Sequence, residues 1–260
     1  MFAQGSLKTR PAAFQAAAQP LKSAALSRSN RKETHENQIF HRIAAGRRRV
    51  GIGAHRAKME FTCPIGGEKF SQVVETSGMS FGMQTDMRPV GAMLAPFSLP
   101  QCPGNKFVMF KDQFSSEELA KFERVVKSAE YQQTAAESPS YFAWGRMMEL
   151  AGENTDALQM MNIFLKASWQ NPSRESLDKT LEYADKALAS KEISGKDAIN
   201  TQFLRGEMLR KLKRFDEARQ VFTELQKNPE VQKDKMFSKL AAQQLDLIDK
   251  KITLSPMIDH

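Results

Sequence analysis

The chain has 260 residues, 41% of them apolar, which is enough for one or two domains with a buried core and too apolar for wholesale disorder. Its net charge of +8 is concentrated at one end: residues 1–58 carry 12 Lys/Arg against 2 acidic residues, whereas residues 59–260 carry 26 against 28. The body is therefore slightly acidic, which disfavours a basic nucleic-acid-binding face on the folded part.

Residues 1–58 read as a basic, disordered leader. The first 32 hold no Asp or Glu, six Lys/Arg and four Ser, the composition of an organelle transit peptide. Met59 immediately precedes the first ordered-looking sequence, so an upstream start assigned in error gives the same pattern. Both readings stand, and no secretory signal fits. "GRRRVG" (46–51) is a common arginine run, and "GIGAHR" (51–56) is only a fragment of a dinucleotide fingerprint.

From residue 59 to 114 the pattern predicts a small antiparallel, ribbon-like β head. "MEFTC", "KFSQVV", "MSFGMQ" and "KFVMFKD" are short, rich in β-formers and separated by Gly, Pro and Ser. Two Cys-Pro turns, "CPIGG" (63–67) and "CPGNK" (102–106), resemble the halves of a zinc ribbon, in which each turn supplies two thiolates to a tetrahedral ion. Here Gly66 and Asn105 stand where the second thiolates belong, so only Cys63 and Cys102 remain as candidate ligands. Histidine does not complete the set, because none occurs between residues 59 and 259. Two reduced, buried thiols are the expected state, with packing in place of an ion and no cofactor. A single bridge between the cysteines stays open. The same lack of histidine removes Ser-His-Asp and Cys-His catalysis from the body, and no phosphate-cradling glycine loop is present. The longest uncharged run (89–105) contains Pro89, Pro96, Pro100 and Pro103, so it is not a membrane helix.

Residues 115–260 read as helical. "SSEELAKFERVVKSAEYQ" opens with Ser115 and Glu118 in capping-box spacing, followed by an apolar stripe at Leu119, Phe122 and Val126. Further helices are predicted at about 139–151, 155–169, 174–190, 197–213, 215–227 and 232–252, joined by short breaks that favour antiparallel neighbours. The pair at 197–229 resembles the tetratricopeptide repeat: small Gly206 and Ala218, Phe222 four residues on, and a closing Pro229. Lys213 replaces the usual turn glycine. Residues 157–190 read as a weaker copy with Ala167, Ala184 and Ala187 as small contacts. The last helix, with Phe237, Ala241, Leu245 and Ile248 on one side, would cap the stack. In that register Asn200, Phe203, Glu207 and Arg210 would line a short inner groove for a peptide.

"FTCPIGGEKF", "SGMSFGMQTDMRPVGAMLAPFSLPQCPGNKFVMFKD" and "SAEYQ" also resemble an uncharacterised bacterial domain family that joins a Cys-Pro ribbon-like head to a repeat-like helical tail. The resemblance implies an architecture and no activity, with Met59 as natural start and the cytoplasm as compartment. Organelle import is the alternative if the leader is genuine. The expected fold is thus α+β and mostly α: a ribbon-like head, then antiparallel helical hairpins of tetratricopeptide type. The expected function is a non-enzymatic scaffold that binds an unknown protein or peptide, with neither membrane nor nucleic acid as partner of the body. The alternative is a metalloprotein or enzyme with its site at the head–helix junction, around Cys63 and Cys102 with Asp86 and Arg88.

Overall fold

The computed structural model describes residues 55–258 apart from residues 154 and 191. Expectations for residues 1–54, including the arginine run and His35 and His41, lie outside the described residues, as does His260. Two antiparallel hairpins come first: β1 (His55–Thr62) with β2 (Lys69–Ser77), and β3 (Met79–Met83) with β4 (Pro89–Ala92). Nine helices follow among the described residues: α1 (Ser116–Val126), α2 (Ala129–Glu137), α3 (Ser140–Ala151), α4 (Ala157–Gln170), α5 (Arg174–Ala189), α6 (Gly195–Lys211), α7 (Phe215–Lys227), α8 (Pro229–Lys233) and α9 (Lys235–Asp249). The fold is α+β and mostly helical, with a small β head.

The first hairpin extends further upstream than composition suggests. β1 starts at His55, where the leader was expected to run to 58, and its residues 55–58 pair with β2. Met59 therefore sits inside a strand, opposite Gln72. The head is also two separate hairpins, and its fourth strand is PVGA rather than KFVMFKD. β4 escapes a sequence reading because it is short and carries Gly91, whose added Cβ would fall 2.0 Å from the Met79 carbonyl oxygen. KFVMFKD looks like a strand because it fills the core: Phe107 and Val108 are fully buried, and only Val108 bridges, to Gln101.

Two long predicted helices are split by polar caps. The capping box at Ser115 forms, with the Glu118 N–H donating to Ser115 Oγ (3.2 Å) and the Ser115 N–H donating to Glu118 Oε2 (2.8 Å). The chain then breaks at Lys127–Ser128, because Ser128 Oγ accepts from the Tyr131 N–H (3.3 Å) and starts α2. Pro229 opens α8 at a position where its missing N–H costs nothing. Asp234 then caps α9 by accepting from Met236 and Phe237 at 3.0 and 3.2 Å.

From α3 to α7 each helix packs on the next, and α9 closes on α7 and α6. Glycine sets two of these contacts. A Cβ on Gly145 would lie 2.6 Å from the Phe164 ring of α4, and one on Gly206 would lie 2.7 Å from the Phe222 ring of α7. Gly206 thus faces an aromatic ring and Val221, where the repeat register paired it with Ala218. Ala167, Ala184 and Ala187 are fully buried, as small contacts should be. Lys213 takes the left-handed backbone (φ 64°) that a turn glycine would provide.

The core has two lobes. One gathers Cys63, Cys102, Phe107 and the apolar faces of α1–α4, with Phe61 and Phe70 of the first hairpin against it. The other gathers α4–α9, with Met83 and Met87 of the second hairpin against it. After α9 the chain returns to that second hairpin: the Ile258 N–H donates to the Met83 carbonyl (2.8 Å), and the Thr85 N–H donates to the Pro256 carbonyl (3.0 Å).

Candidate functional site

The two Cys-Pro turns are built alike. In the first, the Cys63 N–H donates to the Glu68 carbonyl (2.8 Å) and the Gly67 N–H to the Cys63 carbonyl (3.1 Å). In the second, the Cys102 N–H donates to the Phe107 carbonyl (2.9 Å) and the Lys106 N–H to the Cys102 carbonyl (3.0 Å). Each places its fifth residue in the left-handed region, Gly67 at φ 71° and Lys106 at φ 62°. Cys63 and Cys102 are joined to each other, with Cα atoms 5.7 Å apart. The expectation of two reduced thiols is thus corrected: the sulfurs cross-link the turns, so a covalent bond adds to what packing alone was expected to do.

Side-chain hydrogen bonds from Asn105 and Glu68 hold the same two turns together. Asn105 Nδ2 donates to the Ile65 carbonyl of the other turn (2.7 Å), while its Oδ1 accepts from the Phe107 N–H (2.9 Å). Glu68 of the first turn returns the bond by accepting from the Gly104 N–H (2.9 Å). Gly66, at φ 88°, supplies only backbone freedom. Helix α2 holds the second turn from outside, through Tyr131 Oη to the Lys106 carbonyl (2.8 Å) and Gln132 Nε2 to the Asn105 carbonyl (2.8 Å). Burial pushes the Tyr131 phenol well above its ordinary pKa, so it serves as a neutral donor. These residues do not fit a tetrahedral ion: both sulfurs are spent on each other, and among the described residues no third Cys, His, Asp or Glu joins them.

Asp86 and Arg88 are not brought to the cysteines, since they border the other lobe. Lys211 Nζ donates to Asp86 Oδ2 (2.8 Å), Trp169 Nε1 donates to the Asp86 carbonyl (3.2 Å), and the Arg88 N–H donates to Asp86 Oδ1 (3.2 Å). Asp86 is thereby locked into the β3–β4 turn and against α4 and α6.

The groove residues are also corrected. Phe203, Glu207 and Arg210 are fully buried and Asn200 is half-buried, so three of the four face no open channel. Phe203 packs edge-on to Phe222 and Phe237. Glu207 and Arg210, one turn apart on α6, form a buried ion pair (2.6 Å) inside a wider network. Glu207 Oε1 accepts from Thr85 Oγ1 (3.1 Å) and Ser255 Oγ (2.7 Å). Arg210 donates to Gln244 Oε1 (2.7 Å) and to the carbonyls of Ile252 and Leu254, the latter at 3.0 Å. The face expected to hold a partner peptide is therefore covered by the chain's own β3–β4 turn and the segment after α9.

The sequence singles out Asp86, Glu207 and Arg210 but not their side-chain partners, Lys211 for Asp86 and Thr85, Gln244 and Ser255 for the other two. No local spacing links residues 85, 210, 244 and 255. A second charged cluster joins α3 to α5 and α2: Glu149 accepts from Lys179 Nζ (2.9 Å), Tyr183 Oη (2.8 Å) and Arg146, and Arg146 also pairs with Glu130 of α2 (2.6 Å). Burial, and then the Glu149 bond, raise the Tyr183 phenol.

Large apolar side chains stay exposed in several places, among them Val73 on β2 and Met236 at the start of α9, with others on the second hairpin and the returning segment. Phe81 and Met79 on β3 are 69% and 56% exposed, Leu254 and Met257 on the returning segment 79% and 39%, and Leu94 lies beyond β4. No described helix is long and apolar enough to cross a membrane. Compared with known proteins, the chain matches no family model, no curated protein and no solved structure.

Proposed function

We propose that this chain is a non-enzymatic interaction or scaffold protein that docks a protein or peptide on the apolar surface of β3 and the segment bridged to it. The observation that carries this reading is the exposure of Phe81 and Met79, two residues apart on β3, beside the returning segment that carries exposed Leu254. Large apolar side chains gathered on a surface mark sites of association more often than isolated ones do. The side chains best suited to chemistry support the same reading, because each is committed to the fold: Cys63 to Cys102, Asp86 to Lys211, and Glu207 to Arg210. The glycine–phenylalanine contacts of α3–α4 and α6–α7 support a helical stack of tetratricopeptide type as its scaffold, beside a degenerate, metal-free ribbon.

The test is capture on the immobilised full chain, followed by direct titration of each recovered protein in purified form. A genuine partner binds the chain and loses about tenfold or more in affinity to Phe81→Ser, the scale of one buried aromatic anchor. If no purified protein shows a Phe81-dependent interaction, the reading is wrong.

A further inference from the structure

The segment after α9 sits where a bound peptide would sit, and it is held as a ligand is held. We propose that residues 252–258 are a ligand bound in cis to the inner face of α6. In trans, the same face takes an extended peptide carrying Ser or Thr followed by Pro, with an apolar residue three positions after the hydroxyl.

The recognition elements are few and ordered. Arg210 Nη1 donates to the carbonyls of Ile252 and Leu254, two residues apart on one edge of the segment. Glu207 accepts the hydroxyl of the next residue, Ser255. Pro256 has no N–H to leave unpaired and holds Ser255 extended, while its carbonyl accepts from the Thr85 N–H. Ile258 then pairs with Met83 and is the one apolar side chain of the segment that is buried. Leu254 is exposed and specifies nothing on this face, whereas Met257 lays its Cε against Gly82 of β3. Backbone carbonyls, one hydroxyl and one apolar anchor define a peptide class, because any chain presenting them in that order makes the same bonds.

Two further observations favour exchange over a permanent strap. The segment buries little apolar surface beyond Ile258, and such regions open locally at the low end of a protein's stability range. In addition, Gln244, fully buried beside Arg210, leaves its Nε2 donor without a partner among the described residues. The cis segment therefore satisfies the face incompletely, and a peptide offering one more carbonyl would satisfy it better.

The probe is a fluorescein-labelled peptide with the sequence of residues 250–258, titrated by anisotropy onto the full chain and onto its Ile258→Asp variant. Removing the anchor frees the face, so the variant binds the peptide about tenfold or more tightly than the unaltered chain does. A peptide with Ala for the serine and Asp for the final isoleucine does not bind. Equal affinity for the two chains, or no binding to a variant of unchanged helicity, overturns the inference. So does a concentration-dependent dimer of the unaltered chain that the peptide dissolves, since that gives the face to a second copy. Hydrogen exchange on the unaltered chain is an arm independent of any variant: the amides of Thr85 and Ile258 exchange about a hundredfold faster than those in the middle of α6, and equal protection overturns the inference. The inference rests on reading the chain as an interaction protein. A partner retained through Phe81 alongside a failed peptide titration sinks this inference and leaves that reading standing.

Discussion

The β head grips the helices in two places by different physics. At the Cys-Pro turns it is held by a cross-link and by apolar contact: Phe107, Phe110, Phe114, Phe122 and Trp144 stack and edge against one another beneath the turns. At the β3–β4 turn it is held by buried charge, with Asp86–Lys211 and Glu207–Arg210 bonded to Thr85, Trp169, Gln244 and Ser255. Apolar packing is nondirectional and loses stability in proportion to what is removed. A buried polar network is directional, and loss of one member strands the rest. The first grip is therefore graded, whereas in the second the loss of a charged member of the Glu207–Arg210 or Asp86–Lys211 pair is close to all-or-none.

The largest expected effect lies in the second grip. Arg210→Ala leaves Glu207 buried without its cation and lowers the unfolding free energy by about 3–5 kcal/mol in denaturant titrations. Paired with Glu207→Gln, an Arg210→Met change costs less than the two single changes together, because no unpaired charge remains. Next comes the cross-link. Cys63→Ala with Cys102→Ala opens a loop of 39 residues and costs about 3–4 kcal/mol by chain entropy, read as a shift in the denaturation midpoint. Should the cysteine pair prove the costlier loss, the polar clasp is the weaker grip and the comparison reverses.

Smaller effects separate the helical stack from both grips. Gly145→Ala and Gly206→Ala each drive a methyl into a phenylalanine ring and cost about 1–3 kcal/mol, partly recovered when Phe164 or Phe222 is shortened to Leu. Lys213→Gly relieves a left-handed lysine and raises the melting temperature by an amount corresponding to about 1 kcal/mol.

The smallest effect depends on pH. The Lys111 ammonium, then the Ser115 N–H, hold the Glu118 carboxyl below its ordinary range. Its folded pKa is thus below its unfolded one. The stabilisation is fully present above the unfolded value of about 4.5 and is lost as pH falls through the folded value. Glu118→Gln therefore lowers stability at neutral pH by less than about 1 kcal/mol, since the site is solvent-screened, and the difference from the unaltered chain fades in acid.

How much of this was legible differs along the chain in a consistent way. Helix α7 runs over the residues its periodicity marks, and the capping box at Ser115 forms as spelled, because both depend on neighbours within four residues. The break at Ser128 is local too, but the apolar stripe running across it conceals the second cap. The residues of β4 do not spell a strand, while those of KFVMFKD do, although only Val108 of them makes a bridge. There, β-forming residues were chosen to fill a core, and a glycine was chosen so that two backbones could meet. The Cys-Pro turns were recognised as a pair, but nothing in their spelling says whether sulfur meets an ion, a proton or another sulfur. Glu207 and Arg210 were picked out as a groove by register alone, which carries no knowledge of what the rest of the chain lays over them.

By itself the sequence determined the class of the protein: that most of it is helical and roughly where, that a β head precedes the helices, and that the folded body carries almost no net charge. Each of these follows from composition or from interactions between residues a few positions apart. The tertiary structure alone decided that the two cysteines are joined, that the second hairpin belongs with α6, and that residues 252–258 cover the inner face. Those outcomes join positions separated by 39 residues at the cysteines and by 122 between Thr85 and Glu207. Contacts over such distances are fixed only when the packed helices bring the groups together and burial makes an unpaired one costly.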